Sequence, residues 1–310
     1  MSALICGSIA YDTIMVFHDH FKNHILTDKI HILNVSFMVP ELRRDFGGCA
    51  GNIAYNLKLL GGEGKPMATV GHDFDSYSDW MDQWCINRKY IKVIDKVYTA
   101  QAYITTDMED NQITAFHPGA MEFSHHNRIP EDGDIAIGIV SPDGREGMIE
   151  HAQQFAEAGI PFIFDPGQGL PMFDGDELLR FMEKATWATL NDYEAGLMQD
   201  RTGKSPHELA KYVQALVVTL GGSGSHIYTS NKRYEIPVAN PRRLADPTGC
   251  GDAYRAGLLY GLMNAMDWDT TGRIASLMGA IKIETHGTQN HVFDSYEFAV
   301  RFKEAFKRSI

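Results

Sequence analysis

Residues 246–252 read D-P-T-G-C-G-D and lead into a run of small and apolar residues at helical spacing. If Gly249, Cys250 and Gly251 turn into a helix, the first N–H groups of that helix have no partner of their own. They point outward at its positive end, and such an arrangement binds anions. Glycines at 249 and 251 let the backbone approach an anion closely, and Cys250 is small enough not to block it. Asp252, in the first turn, sets a carboxylate beside the same anion. An acidic residue there also complements the helix dipole, which is the purely structural reading. A carboxylate that only caps, however, has no need of an open glycine nest in front of it. A proton-accepting aspartate beside a phosphate cradle has a specific use, the activation of an alcohol that attacks a γ-phosphate. Phosphoryl transfer is the expected chemistry.

The elements that must hold this loop follow from the patterning. "ALICGSIAYD" at the start reads as a buried strand ending in glycine and a polar tip. "GGCAGNIAYNLKLLGG", residues 47–62, starts on glycines, runs at helical spacing and stops on Gly61 and Gly62, a helix with its C-cap. From "IAIGIV" onward, strands and helices alternate with short links: "PFIFDPGQ", "TWATLN" before "DYEAGLMQD", "ALVVTLGGSGS", then helices near 251–265 and 271–285. Such alternation predicts an α/β fold, a doubly wound and mostly parallel sheet flanked by helices. Two β-rich pieces, about 13–39 and 95–118, break the rhythm. We expect them to form a small second sheet, a lid over one end of a single domain covering residues 1–310. In open α/β sheets ligands sit at the carboxyl ends of strands. There the chain offers residues 7–12, 165–168, 191–194 and 219–224.

Composition bounds the partners. Lys and Arg total 28 against 40 Asp and Glu, a net charge of −12, so nucleic acid and anionic membranes are not expected. The chain is 44% hydrophobic and 22% charged, which is ordinary for a globular protein. Its four cysteines, Cys6, Cys49, Cys85 and Cys250, are scattered without zinc or disulfide spacing. The amino terminus has no basic leader, and no apolar run is long enough to span a bilayer, so a cytoplasmic location is expected. "GGEGKP" at 61–66 fails the P-loop pattern because Pro66 stands where Ser or Thr belongs. No dinucleotide fingerprint survives either, since Ile227 and Tyr254 occupy third-glycine positions. Histidines in "HDHFKNH" and at 125–126 lack a completing ligand set and read as exposed loop.

The stretch 246–252 resembles the carboxyl-terminal signature DTxGAGD of the ribokinase-like (PfkB) family of sugar and nucleoside kinases, with Cys250 for alanine. Residues 47–62 resemble the family's amino-terminal signature, "NDYE" at 191–194 its NxxE motif, and "VTLGGSG" at 218–224 its nucleotide loop. The four segments occur in the family's order and span nearly the whole chain. The resemblance implies a ribokinase-like fold with a β-sheet lid, with ATP and Mg²⁺ as cofactors. It implies that Asp252 is the catalytic base, with the N–H groups of Gly249, Cys250, Gly251 and Asp252 as anion hole. Asn191 and Glu194 would organise Mg²⁺ and phosphates, Glu194 through water. Thr219, Gly221, Gly222 and Gly224 would line the ATP site, with Asn290 near adenine. Asp12, Gly47, Gly48 and Asn52 would hold the substrate's hydroxyls, and Asp246 with Thr248 matches a K⁺ site found in part of the family.

The acceptor alcohol is read from what surrounds it. The amino-terminal signature carries Cys49 where sugar kinases often carry lysine, and no Lys or Arg lies between Phe46 and Leu57. The second sheet instead offers Tyr103 and Phe116 among other apolar residues, surface on which a flat base stacks. "FHPGAM" and "FDPGQGLP" also resemble stretches of prokaryotic nucleoside and adenosine kinases. We therefore expect an ATP-dependent nucleoside kinase, adenosine its first candidate, acting on the 5′-hydroxyl as a monomer or as a homodimer through the lid. The alternatives are a sugar kinase of ribokinase or fructokinase type and a catalytically silent binding protein on the same fold.

Overall fold

A computed structural model describes residues 2–25, 32, 34–109, 111–130 and 134–310. Its centre is a nine-stranded sheet. The strands are β1 (Ser2–Cys6), β4 (Gly64–Val70), β5 (Tyr90–Val93), β8 (Ile135–Val140), β9 (Phe162–Phe164), β10 (Trp187–Asn191), β11 (Ala215–Thr219), β12 (Ser225–Thr229) and β13 (Arg233–Ile236). They lie in the order β13-β12-β11-β10-β9-β8-β1-β4-β5. All neighbours run parallel except the closing hairpin, in which β12 is antiparallel to both β11 and β13. β1 pairs with β4 on one side and β8 on the other, so the winding reverses there. A crevice opens at such a reversal, beyond the carboxyl ends of the strands.

Alternation within each strand explains the two flanking layers. Ala3 and Ile5 point to one face with Ile137, Ile139 and Val217, where α1 (Cys49–Leu59), α2 (Asp75–Gln83) and α7 (Cys250–Met263) pack. Leu4 and Cys6 point to the other with Phe162, Phe164 and Leu190, against α3 (Arg145–Ala158), α4 (Gly175–Lys184) and α5 (Asp192–Thr202). Strands buried on both faces must read as near-continuous apolar runs, as these do. The short α6 (Pro206–Leu209) follows α5. α8 (Trp268–Lys282) and α9 (Ser295–Phe306) add a third apolar cluster behind α7.

The second sheet has four strands in the order β3-β2-β6-β7. These are β2 (Ala10–Val16), β3 (Glu41–Gly47), β6 (Ala100–Thr106) and β7 (Gln112–His117). Its membership differs from the expected segments. Of the β-type run at 29–39, residues 29–31 and 33 lie outside the described residues, and 34–40 carry no strand. The strand is "ELRRDFG", which pairs antiparallel with β2 from Glu41 against Val16 to Gly47 against Ala10. Strand β3 is largely exposed and charged, so its partner rather than its own apolar pattern makes it a strand. Among the described residues no helix is long and apolar enough to cross a membrane.

Candidate active site

Gly249 is the N-cap of α7 and has φ +81°, the left-handed region that favours glycine. A Cβ there would also stand 2.9 Å from Thr288 Cγ2. Of the N–H groups expected to be open here, that of Cys250 donates to Pro247 O at 3.2 Å inside the turn. Asp252 lies in the first turn of that helix. Its Oδ2 accepts a hydrogen bond of 2.8 Å from Asn52 Nδ2 on α1, a residue 200 positions away in the chain.

α1 is set in place by Gly48, at φ +85°, where a Cβ would stand 2.6 Å from both Ala10 N and Ser8 O. The Ser8 hydroxyl accepts from Cys49 N at 3.1 Å, tying the tip of β1 to the helix start. Gly47 faces Asp12: a Cβ at 47 would meet Asp12 Oδ2 at 2.5 Å. Asp12 thus lies against the start of α1 at Gly47, and Asn52 ties the same helix to Asp252.

Burial, opposed by the Asn52 hydrogen bond and the Arg255 charge, pushes Asp252 up to about 6. Asp12 rises to about 6 as well, from burial and from the Asp45 and Asp246 carboxylates. The Asp12 carboxylate adds a small upward push to Asp252. A base must be ionised to accept a proton, so kcat/KM should climb through about pH 6 and level off above it. Replacing Asp12 by Asn removes a charge that raises Asp252, and the acid limb of the profile should move to lower pH. An unmoved limb, measured as kcat/KM from pH 4.5 to 8, would detach the titration from this pair.

Two features of the site gave no sequence signal. The Asn52 amide is oriented by Gln289, whose Nε2 lies 3.0 Å from Asn52 Oδ1 and 2.6 Å from Tyr77 Oη. Gln289 Oε1 accepts from Trp80 Nε1 at 3.0 Å, which fixes the amide the right way round. The second feature is a buried guanidinium. Arg255, one turn after Gly251, donates to both oxygens of Asp165 at 2.9 and 3.1 Å and to Gly251 O at 3.3 Å. Only its proximity to "GCGD" could have marked it.

Asn191 ends β10 and caps α5. Its Oδ1 accepts from Glu194 N at 2.7 Å, while Glu194 accepts from Asn191 N and Nδ2 at 2.8 and 2.9 Å. Glu194 Oε2 is also 3.8 Å from Arg255, which links this cap to the Gly251 turn. Thr219 is the register partner of Asn191 on β11. Open space surrounds Gly221 and Gly222 beyond it, and Gly221 and Gly224 hold positive φ. These residues form one continuous rim along the carboxyl ends of β10 and β11.

Other expected residues fall differently. Phe116 pairs with Ala102, which pairs with Asp12, so Phe116 shares the face of the second sheet that carries Asp12. Tyr103 is on the opposite face, its hydroxyl donating to Gln101 Oε1 at 2.7 Å. Successive strand residues alternate faces, so a single ligand beside Asp12 cannot meet both rings. Asn290 is exposed and donates to His286 O at 3.0 Å; among the described residues no hydrogen bond joins it to the 219–224 turn. Asp246 and Thr248 do come together, Thr248 N donating to Asp246 Oδ1 at 2.9 Å and Gly287 N to Oδ2 at 2.9 Å. Two side-chain cations also lie at this turn, Arg43, 3.8 Å from Asp246 Oδ2, and Lys282. Lys282 Nζ donates to Asp246 O at 2.8 Å and to Thr285 O at 3.1 Å. Among the described residues no cluster of three or more His, Cys, Asp or Glu side chains could hold a metal ion.

The doubly wound sheet and the four-stranded second sheet are those of the ribokinase fold, and the family and relatives that match the chain make it a phosphotransferase with a hydroxyl acceptor. The ribokinase of Thermotoga maritima, 19% identical, shares this fold with a TM-score of 0.81 over 98% of this chain and 99% of that one. The chain belongs to the pfkB family carbohydrate kinases, whose family model matches residues 12–294. It is 52% identical to the Burkholderia thailandensis nucleoside kinase solved in complex with inosine, with a TM-score of 0.91 over 99% of both chains. The same kinase has also been solved in complex with ADP-inosine. The nucleoside kinase of Methanocaldococcus jannaschii is 31% identical over 262 residues, 84% of this chain and 86% of that protein.

Proposed function

We propose that this protein is an ATP-dependent nucleoside kinase that phosphorylates the ribose 5′-hydroxyl, with adenosine as a substrate. The observation that carries the reading is the Asn52–Asp252 hydrogen bond, which sets a carboxylate from the anion-binding turn against the hydroxyl-binding residues. Likeness over nearly the full chain to a kinase solved with inosine supports a purine nucleoside over a free sugar. Asp12 accepts hydrogen bonds from the ribose hydroxyls beside Gly47 and Gly48. Asp252 takes the proton of the 5′-hydroxyl, the freed oxygen attacks the γ-phosphorus, and the bond to the bridging oxygen breaks, leaving ADP. The N–H groups of Gly249, Gly251 and Asp252 receive the charge that grows on the equatorial oxygens, while that of Cys250 holds the turn through Pro247 O. Mg²⁺, when bound with ATP, neutralises phosphate charge. Glu194 already accepts two hydrogen bonds within its cap, which suits contact with the ion through water and not direct ligation.

The test is turnover of ATP with Mg²⁺ against adenosine, inosine, ribose and fructose. A nucleoside 5′-monophosphate is the expected product. Phosphorylation of ribose or fructose alone would move the protein to the sugar-kinase reading, and no turnover with any acceptor would leave a binding protein. Phe116→Ala refines the result, because this ring shares the Asp12 face of the lid. Stacking of a base on an aromatic ring is worth ~1–3 kcal/mol, so the nucleoside KM should rise about ten- to a hundred-fold. Any slow reaction with ribose should be unchanged. Equal losses on both substrates would make Phe116 a packing residue.

A further inference from the structure

Lys282 is 0% exposed, a depth at which an ammonium is rare unless its charge is answered. Its Nζ bridges two backbone carbonyls, Asp246 O in the turn before α7 and Thr285 O just past the end of α8. Ala245 N and Asp246 N both donate to Ile283 O, at 2.9 and 3.1 Å, so the turn and the end of α8 are laced together around the ammonium. The charge is felt at the mouth of α7. It opposes the effect of burial on the Cys250 thiol, which burial raises to about 11. Burial pulls Lys282 itself below its ordinary value; the Asp246 carboxylate, and less so Cys250 and Asp45, favour its charged form, while the Arg43 charge opposes it. Carbonyl oxygens arranged about one compact cation are what a bound K⁺ would demand. A monovalent ion at Asp246 and Thr248 would have to compete with this ammonium for the Asp246 carbonyl.

We propose that the Lys282 ammonium is a built-in monovalent cation that holds the 246–249 turn in shape and adds positive charge beneath the N–H groups that receive phosphate. Turnover is then independent of K⁺. The proposal rests on the reading of residues 249–252 as the anion hole. A lysine at a helix C-terminus often does no more than cap carbonyls, and the experiment separates that role from this one.

Three measurements test it. Wild-type kcat should agree within about twofold in K⁺, Na⁺ and tetramethylammonium chloride at matched ionic strength. Lys282→Met should lose about a hundredfold in kcat, the scale set by a small misplacement of positioning groups. In Lys282→Ala, which leaves room for an ion, added K⁺ or NH₄⁺ should restore kcat and raise the thermal midpoint, whereas Li⁺ and tetramethylammonium should do neither. The thermal readout needs no active enzyme. Wild-type activation by K⁺ would overturn the proposal, as would full kcat in Lys282→Met. Equal loss in every salt, with no ion-dependent thermal shift, would reduce Lys282 to a cap and overturn it too. Failure of the underlying reading shows elsewhere, as full turnover in Asp252→Asn.

Discussion

Asp252→Asn should lower kcat by ~10²–10⁴-fold while ATP affinity changes little or tightens. The amide keeps the shape of the carboxylate and can still accept from Asn52 Nδ2, so the first turn of α7 keeps its geometry. It cannot take a proton. ATP affinity should not fall, because a negative charge next to the γ-phosphate has gone. Stability supplies an internal control. Burial pushes the folded Asp252 carboxyl up to about 6 from its ordinary 3.8, so the folded state binds more protons than the unfolded state between those values. Its ionisation therefore costs stability as pH rises through that window, and the penalty is complete above about 6. Asn has no such penalty, and the thermal midpoint at pH 7.5 should hold or rise. A variant that is folded, binds ATP and does not turn over isolates the proton transfer. Full kcat would leave Asp252 a helix cap.

Arg255→Met should be the most damaging substitution to the fold near the site. Asp165 is 2% exposed, and both its oxygens receive Arg255. Removing the guanidinium leaves a carboxylate with Ser141 Oγ, 3.1 Å away, as a remaining donor. Stranding one member of a buried pair typically costs ~3–5 kcal/mol, far more than the pair contributes over an apolar replacement. The double variant Arg255→Met/Asp165→Leu should accordingly recover most of the loss in urea unfolding. Arg255→Lys should fall between, since a single ammonium cannot match a two-pronged carboxylate contact and also reach Gly251 O. Turnover should drop in all three, because Arg255 supports the Gly251 turn and opposes the upward shift of Asp252. A destabilisation below about 1 kcal/mol in Arg255→Met would show that water or relaxation replaces the pair.

What could be read from the sequence was what local chemistry writes into adjacent residues. The glycine turn with its aspartate and the alternation of the main sheet are each signalled within a few positions. What could not be read depends on residues brought together from afar. Strand β3 is written in "ELRRDF", charged and exposed, and owes its conformation to β2. Gln289 looks like an ordinary loop residue, yet it orients Asn52 from 237 positions away. Lys282 looks like a surface lysine at the end of a helix until α8 is packed and its ammonium is enclosed. Tyr103 and Phe116 carry the same signal in sequence, and only the pairing register assigns them to opposite faces.

The span of the contact between Asn52 and Asp252 has a kinetic consequence. The base comes from near the carboxyl end, its orienting amide from near the amino end, and the Asp165 carboxylate that anchors Arg255 from between them, 90 residues from that arginine. Closing loops this long requires that most of the chain already be ordered, and topologies dominated by such distant contacts form slowly. On refolding, helices and adjacent strand pairs can form well before these groups meet. Recovered turnover is therefore a late signal, trailing the recovery of secondary structure. It reports completion of the tertiary fold.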